Sequence, residues 1–182
     1  MFKEWASHFD TLIGRCGLAW TEAGLTGVQL PEADPKQTVA RIPRHGAERV
    51  EESEVPPQIA EVIAALKAFL SGEPTGFDGL QLDMERHSAF ERAAYEALRK
   101  VGWGNTVTYG ELAEAIGRPN GAQAIGMAMG RNSWPVIVPC HRVLGANGWL
   151  GGFSAPGGIM TKKMLLAREG VYPDGGQLQL FE

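Results

Sequence analysis

The stretch that most restricts how this chain folds is Val136-Ile137-Val138-Pro139-Cys140-His141-Arg142-Val143. The β-branched apolar run predicts a strand or extended segment that enters the core. A rigid proline follows, and then a thiol, an imidazole and a guanidinium in direct succession. A cysteine set between proline and two cation-capable side chains is in the setting that turns a thiol into a thiolate nucleophile. The plain alternative is a buried structural thiol. The apolar run favours that alternative, and the adjacent His141 and Arg142 oppose it.

A length of 182 residues suits one large domain or two small ones. No apolar run is long enough to span a bilayer, and the start Met1-Phe2-Lys3-Glu4-Trp5 lacks the form of a signal peptide. Cys16 and Cys140 are the two cysteines, too few for a disulfide framework, so a reducing, cytoplasmic setting is expected. A metal site is disfavoured: Cys140-His141 is one pair, there is no C-x-x-C, and His8, His45 and His87 are scattered. No cofactor is expected. The net charge of -4 is unevenly spread. Residues 1–83 hold 7 basic and 13 acidic side chains, whereas residues 84–170 hold 10 and 6. The thiol lies in the basic part, which suits a polyanionic partner.

Residues 13–20 and 25–30 read as two strands across a turn containing Gly24. Residues 31–54 are polar and irregular, with Pro31, Pro35 and Pro43 as breakers. Pro56-Pro57 opens a helix in which Ile59, Val62, Ile63, Leu66, Phe69 and Leu70 form one stripe, ended by Gly72. Residues 77–82 are a candidate further strand. A boundary near Met84 gives an N-terminal α/β domain over residues 1–84, a second domain over 85–170 and a flexible tail over 171–182.

The second domain reads as helical. Phe90, Ala94, Ala97, Leu98 and Val101 form a stripe, and Thr108-Tyr109-Gly110-Glu111 is a capping-box pattern opening a helix to about Ile116. Gly117-Arg118-Pro119-Asn120-Gly121 is a tight turn before a short helix over 122–129, which together outline a helix-turn-helix. A last helix runs over about 159–169 and stops at Gly170. The second helix of the pair is slender. Gln123, Gly126, Met127 and Gly130 share one face, and Ala122, Ile125 and Met129 the other. Such a face has little with which to read base edges but lets backbone approach a duplex closely. The plain alternative is small-residue packing against a neighbouring helix.

A thiol needs a base, and His141 supplies one directly or through a water. A carboxylate that orients the imidazole would improve it. Glu169 is the candidate, because an acid in the last turn of a helix opposes the helix dipole. The alternative is a solvated glutamate with no role.

Pro139-Cys140-His141-Arg142-Val143, with Gly151-Gly152-Phe153-Ser154 and Leu165-Leu166-Ala167-Arg168-Glu169-Gly170 after it, resembles the O6-alkylguanine-DNA alkyltransferases, the methylated-DNA–protein-cysteine methyltransferases. The likeness is dense over residues 86–170 and looser before them. It implies an N-terminal ribonuclease-H-like α/β domain followed by a helical, winged helix-turn-helix DNA-binding domain that carries the active-site cysteine. It also implies direct-reversal repair of O6-alkylguanine, and of O4-alkylthymine, in double-stranded DNA by a monomer. The base is flipped out and its alkyl group moves irreversibly to Cys140, once per molecule.

By the same resemblance His141 is the water-mediated base, Glu169 its orienting carboxylate, and Tyr109 a pocket residue that helps protonate the leaving guanine. Asn132 is the hinge between recognition helix and active-site segment. Phe153 and Ser154 belong to the closing loop, with Ser154 donating to O6. Ala122, Gln123 and Arg131 are assigned to DNA contact, and Arg142 to a buried structural salt bridge. Two departures stand out. Gln123 occupies the position where the family commonly has an arginine that enters the base stack, and Ala155-Pro156 lengthens the binding loop.

The tail Gln177-Leu178-Gln179-Leu180-Phe181-Glu182 resembles the short peptide with which bacterial proteins dock into the DNA polymerase sliding clamp. Gln177, Leu178, Leu180 and Phe181 would be the anchors. The alternative is a tail folded onto its own domain. Three other functions compete with repair. A non-catalytic lesion-binding relative would lack the cysteine. A transcription regulator would carry base-reading side chains on the recognition helix. A cysteine hydrolase would turn over.

Overall fold

The computed structural model of the chain describes residues 3–42 and 46–173. The chain divides into two compact units, Met1–His87 with Ser133–Ile137, and Ser88–Asn132 with Val138–Glu182.

The first unit is built on an antiparallel meander of β1 (Trp5–Thr11), β2 (Gly14–Thr21) and β3 (Gly24–Gln29). A two-residue strand β4 (Glu48–Arg49) pairs parallel with β1, giving the order β3-β2-β1-β4. Helix α1 (Pro35–Arg41) follows the meander, and helix α2 (Pro57–Ser71) packs on β1. The α2 stripe read from the sequence is buried throughout, and Gly72 ends the helix at φ 94°.

Three features of this unit depart from the sequence reading. β1 carries Ser7, His8 and Asp10, so its alternation is masked, although Ala6 and Phe9 are buried. Pro35 reads as a breaker but stands at the first position of α1, where its missing N–H costs nothing. The Asp34 carboxylate caps that helix by accepting from the Lys36 N–H at 2.9 Å. Residues 77–82 form no named strand; one isolated bridge joins Leu82 to Leu25.

The Val136-Ile137-Val138 run is not a regular strand. Ser133–Ile137 returns to the first unit, where the Ser133 carbonyl accepts from Val28 N–H at 2.8 Å. Trp134 is fully buried and donates from Nε1 to the Leu25 carbonyl at 2.8 Å. Val136 sits at φ 78°, a left-handed conformation that β-branched residues avoid. Strain of this kind, about 1–3 kcal/mol, persists only where surrounding packing fixes the backbone.

Among the described residues the second unit has four α-helices: α3 (Ala89–Arg99), α4 (Tyr109–Ala115), α5 (Ala122–Gly130) and α6 (Gly158–Arg168). Capping boxes open the first two, Ser88 with Glu91 and Thr108 with Glu111. The turn from α4 to α5 is as tight as its sequence predicts. A Cβ on Gly121 would lie 2.8 Å from the Arg118 carbonyl oxygen. A two-stranded parallel ladder, β5 (Val107–Thr108) with β6 (Val143–Leu144), brings the start of α4 beside the segment after Cys140. α5 buries Ile125, Ala128 and Met129 and leaves Gln123, Met127 and Gly130 open. Among the described residues no helix is long and apolar enough to cross a membrane.

Candidate active site

Cys140 opens a single 3-10 turn, Cys140–Arg142, that leads directly into β6. The residue is only 6% exposed. Asn132, just beyond the end of α5, donates from Nδ2 to Cys140 Sγ at 3.1 Å and to the Val138 carbonyl at 2.9 Å. One amide therefore ties the end of α5 to the thiol and to the backbone just before it. Burial raises the Cys140 pKa, while the Asn132 hydrogen bond and the charge on Lys162 pull against that rise. The resting sulfur is a thiol, and it needs a base.

Behind the thiol lies a buried ion cluster. His141 Nε2 is 2.7 Å from Glu169 Oε1, and both side chains are fully buried. Arg142 donates to the same carboxylate from Nε at 3.1 and 3.0 Å and from Nη2 at 3.0 Å, and its Nη1 donates to the Val101 carbonyl. The Gly104 N–H completes the set with a 2.9 Å bond to Glu169 Oε2. Burial alone would raise the Glu169 pKa. The hydrogen bonds from His141, Arg142 and Gly104 outweigh it and hold the carboxyl down to about 2. Glu169 is thus an anion whose charge and orientation are fixed by its donors.

Burial lowers the His141 pKa, and Glu169 opposes that only in part. A neutral imidazole beside a permanent carboxylate can take up a proton and have the resulting charge stabilised. The neighbouring guanidinium does not serve the thiol. Arg142 points its charge at Glu169, in the buried salt bridge the sequence reading assigned to it.

The cation felt at the thiol is Lys162, which the sequence reading missed. It is fully buried in α6 and donates from Nζ to the Val143 carbonyl at 2.6 Å and the Leu150 carbonyl at 2.5 Å. Nζ also lies 6.0 Å from the centre of the Tyr109 ring. Burial lowers the Lys162 pKa to about 8, and the thiol acts in the opposite sense. A signal was present. Lys162 lies three and four residues before the buried Leu165 and Leu166 and seven before Glu169, on the inward stripe of α6. The adjacent Lys163 makes the pair look like solvated surface.

The thiol opens onto a cavity of about 530 Å3. Its wall comprises Tyr109 from α4, Ala122, Gln123, Gly126, Met129 and Gly130 from α5, and Trp149, Gly152, Phe153 and Ser154 from the segment after β6. The Tyr109 ring demands a glycine opposite it. Gly151 is at φ 67°, and a Cβ there would lie 2.9 Å from Tyr109 Oη. Burial raises the Tyr109 pKa, and a negative Cys140 would raise it further, so its phenol stays protonated.

Of the residues singled out from the sequence, Cys140, Tyr109, Ala122, Gln123, Phe153 and Ser154 line this cavity. Asn132 touches the thiol, and His141 and Glu169 stand behind it. Arg131 is not in the cavity wall; it lies at the end of α5 with Nη1 3.3 Å from Glu91 Oε1. Ala155 and Pro156 are tied to α6, through Thr161 Oγ1 donating to the Pro156 carbonyl at 2.6 Å and Gly158 N–H to the Ala155 carbonyl at 3.0 Å. Gln177, Leu178, Leu180 and Phe181 lie outside the described residues. Cys16 is buried in β2 with its pKa pushed up to about 12, which leaves it unreactive at neutral pH. Among the described residues no group of three or more His, Cys, Asp or Glu side chains could hold a metal ion.

Residues 89–171 match the family model of the 6-O-methylguanine DNA methyltransferase DNA-binding domain. A methylated-DNA–protein-cysteine methyltransferase of Methanosarcina acetivorans is 36% identical over 162 residues, covering 89% of this chain and 96% of its own. One from Mycolicibacterium paratuberculosis is 44% identical over 117 residues, covering 64% and 68%. The crystal structure of Mycobacterium tuberculosis OGT in complex with DNA superposes with a TM-score of 0.71 at 35% identity, covering 91% of this chain and 93% of that one. Such identity over nearly the whole length of a relative, around a buried cysteine with its histidine and glutamate, makes this chain an enzyme of the methylated-DNA–protein-cysteine methyltransferase family.

Proposed function

We propose that this enzyme removes alkyl groups from O6 of guanine in duplex DNA by transferring them to its own Cys140, once per molecule. One observation carries the reading: a nearly buried thiol at the floor of a cavity roomy enough to admit a nucleobase, backed by a buried His141–Glu169–Arg142 cluster. A target base stacked inside a duplex cannot reach such a thiol, so the nucleotide is flipped into the cavity. The small residues of α5 support close approach of that helix to the duplex.

In the site, the flipped base lies between Tyr109, Met129 and Phe153, and Ser154 donates to O6. With Nε2 committed to Glu169, the thiol proton passes to His141 Nδ1, directly or through a water. Glu169 stabilises the imidazolium and Lys162 stabilises the thiolate. Sulfur attacks the alkyl carbon in line with the C–O6 bond. The S–C bond forms as the C–O6 bond breaks, and the electron pair leaves on the guanine. The Tyr109 phenol supplies the proton that neutralises this leaving group and is itself reprotonated from the imidazolium. The products are a thioether at Cys140 and unmodified guanine. Nothing in the cycle removes the thioether, so the reaction stops after one turnover. O4-alkylthymine presents the same alkyl–oxygen bond and is a second substrate.

The same reading takes the first unit as ribonuclease-H-like, the second as a winged helix-turn-helix, and the protein as a monomer. Its tail docks into the sliding clamp through Gln177, Leu178, Leu180 and Phe181, which rests on sequence alone. Equal clamp retention by the intact protein and by Phe181→Ala would remove that part. The central test is intact mass after incubation with a duplex containing O6-methylguanine. The expected result is one methyl group per protein, mapped to Cys140 and absent in Cys140→Ala. Multiple turnover, or label elsewhere, would overturn the reading. A parallel arm with O4-methylthymine tests the second substrate.

A further inference from the structure

Trp149 is the one large aromatic residue of the cavity wall that stands mostly in water, at 69% exposure, whereas the thiol at the floor is 6% exposed. The sulfur therefore lies deep and Trp149 at the rim. Its position is built. A Cβ on Gly145 would lie 2.5 Å from Trp149 Cε3, so the ring lies directly over a glycine. Asn147 at φ 58° and Gly148 at φ 77° turn the chain back beneath it. The two carbonyls held by Lys162, those of Val143 and Leu150, flank this loop on either side. An exposed aromatic held this firmly beside a reactive centre is apolar surface kept available for a ligand.

We infer that Trp149 is a specificity-determining residue that packs against O6 substituents larger than methyl and favours their transfer. The inference rests on the reading of Cys140 as an alkyl acceptor. In an in-line displacement sulfur, carbon and oxygen are close to collinear, so the rest of the substituent projects sideways from the reacting carbon. A methyl group has nothing to project and stays at the floor. A benzyl group extends along the wall and needs an apolar partner there. The cavity, at about 530 Å3, is of the size that encloses drug-sized ligands and exceeds the needs of a methylated base.

The test compares single-turnover rate constants, read by intact mass, on one duplex sequence carrying either O6-methylguanine or O6-benzylguanine. In Trp149→Ala the benzyl-to-methyl rate ratio should fall about fivefold, the scale of a lost aromatic contact. Trp149→Phe should restore most of the ratio. Gly145→Ala drives a Cβ into the Trp149 ring without removing it, and should lower the ratio as well. Thermal melting of each variant establishes that it is folded. An unchanged ratio in folded Trp149→Ala or Gly145→Ala, whatever happens to the separate rates, would overturn the inference and assign Trp149 to DNA docking or loop stability. Failure of the wild-type protein to accept methyl would instead overturn the underlying reading.

Discussion

Replacing Lys162 by methionine sets two opposing energies against each other. The buried ammonium has its pKa lowered from an ordinary 10.5 to about 8. At pH 7 the lysine is protonated in both folded and unfolded chains, and burying it costs about 3 kcal/mol. Methionine fills a similar volume and removes that cost. It also leaves the Val143 and Leu150 carbonyls without their donor. Hydrogen bonds from a charged group contribute about 1.5–3 kcal/mol each. The variant should therefore be roughly 1–2 kcal/mol less stable at pH 7. The pH dependence is the sharper signature. Between pH 8 and 10.5 the unfolded chain binds more protons at this site than the folded chain, so wild-type stability rises with pH relative to the variant. The gap should widen by about 2.5 kcal/mol from pH 7 to pH 10 in urea unfolding. The variant also loses the positive charge beside Cys140, and its alkylation rate at pH 7 should fall. A gap that stays flat from pH 7 to pH 10 would refute the assignment of a buried, charged lysine.

Three further outcomes follow from the geometry. Glu169→Gln strips Arg142 of its counter-charge and leaves nothing to stabilise a protonated His141, so urea unfolding should show a loss of about 3–5 kcal/mol at pH 7, and alkylation should slow about a hundredfold or more. Since the Glu169 pKa is held below its ordinary value, its contribution in the wild type is fully present above pH 4.5 and is lost as pH falls towards 2. Gly151→Ala forces a side chain into a left-handed position and against Tyr109 Oη; calorimetry should show about 1–3 kcal/mol of destabilisation, with a slower reaction. Gln123→Arg adds a cation to the open face of α5, so binding to undamaged duplex should tighten, and the slope of log affinity against log salt should steepen by about 0.9.

Much of the local structure was legible from residue order. The stripe of α2, the capping box of α4, the tight turn before α5 and the slender face of α5 all depend on neighbours three or four residues apart. The motif around Cys140 and the odd placement of Glu169 at a helix end are local signals of the same kind. Residues whose short-range pattern misleads were not legible. β1 hides behind Ser7, His8 and Asp10, and α1 behind a proline that turns out to begin it. The Val136 run reads as a strand yet adopts a left-handed turn, because Trp134 and the Ser133 carbonyl commit that segment to the first unit.

The sequence by itself determined which candidate groups the chain carries: a thiol at Cys140 beside an imidazole at His141 and a carboxylate at Glu169 at a helix end, legible by type and placement, with the Tyr109 phenol added by the family resemblance. Only the tertiary structure decided how their charges are arranged. Arg142, next but one to the thiol in the chain, gives its charge to Glu169. Lys162, 22 residues after Cys140, is the cation that bears on the sulfur. Electrostatic interaction depends on distance and burial, and folding sets both without regard to chain order.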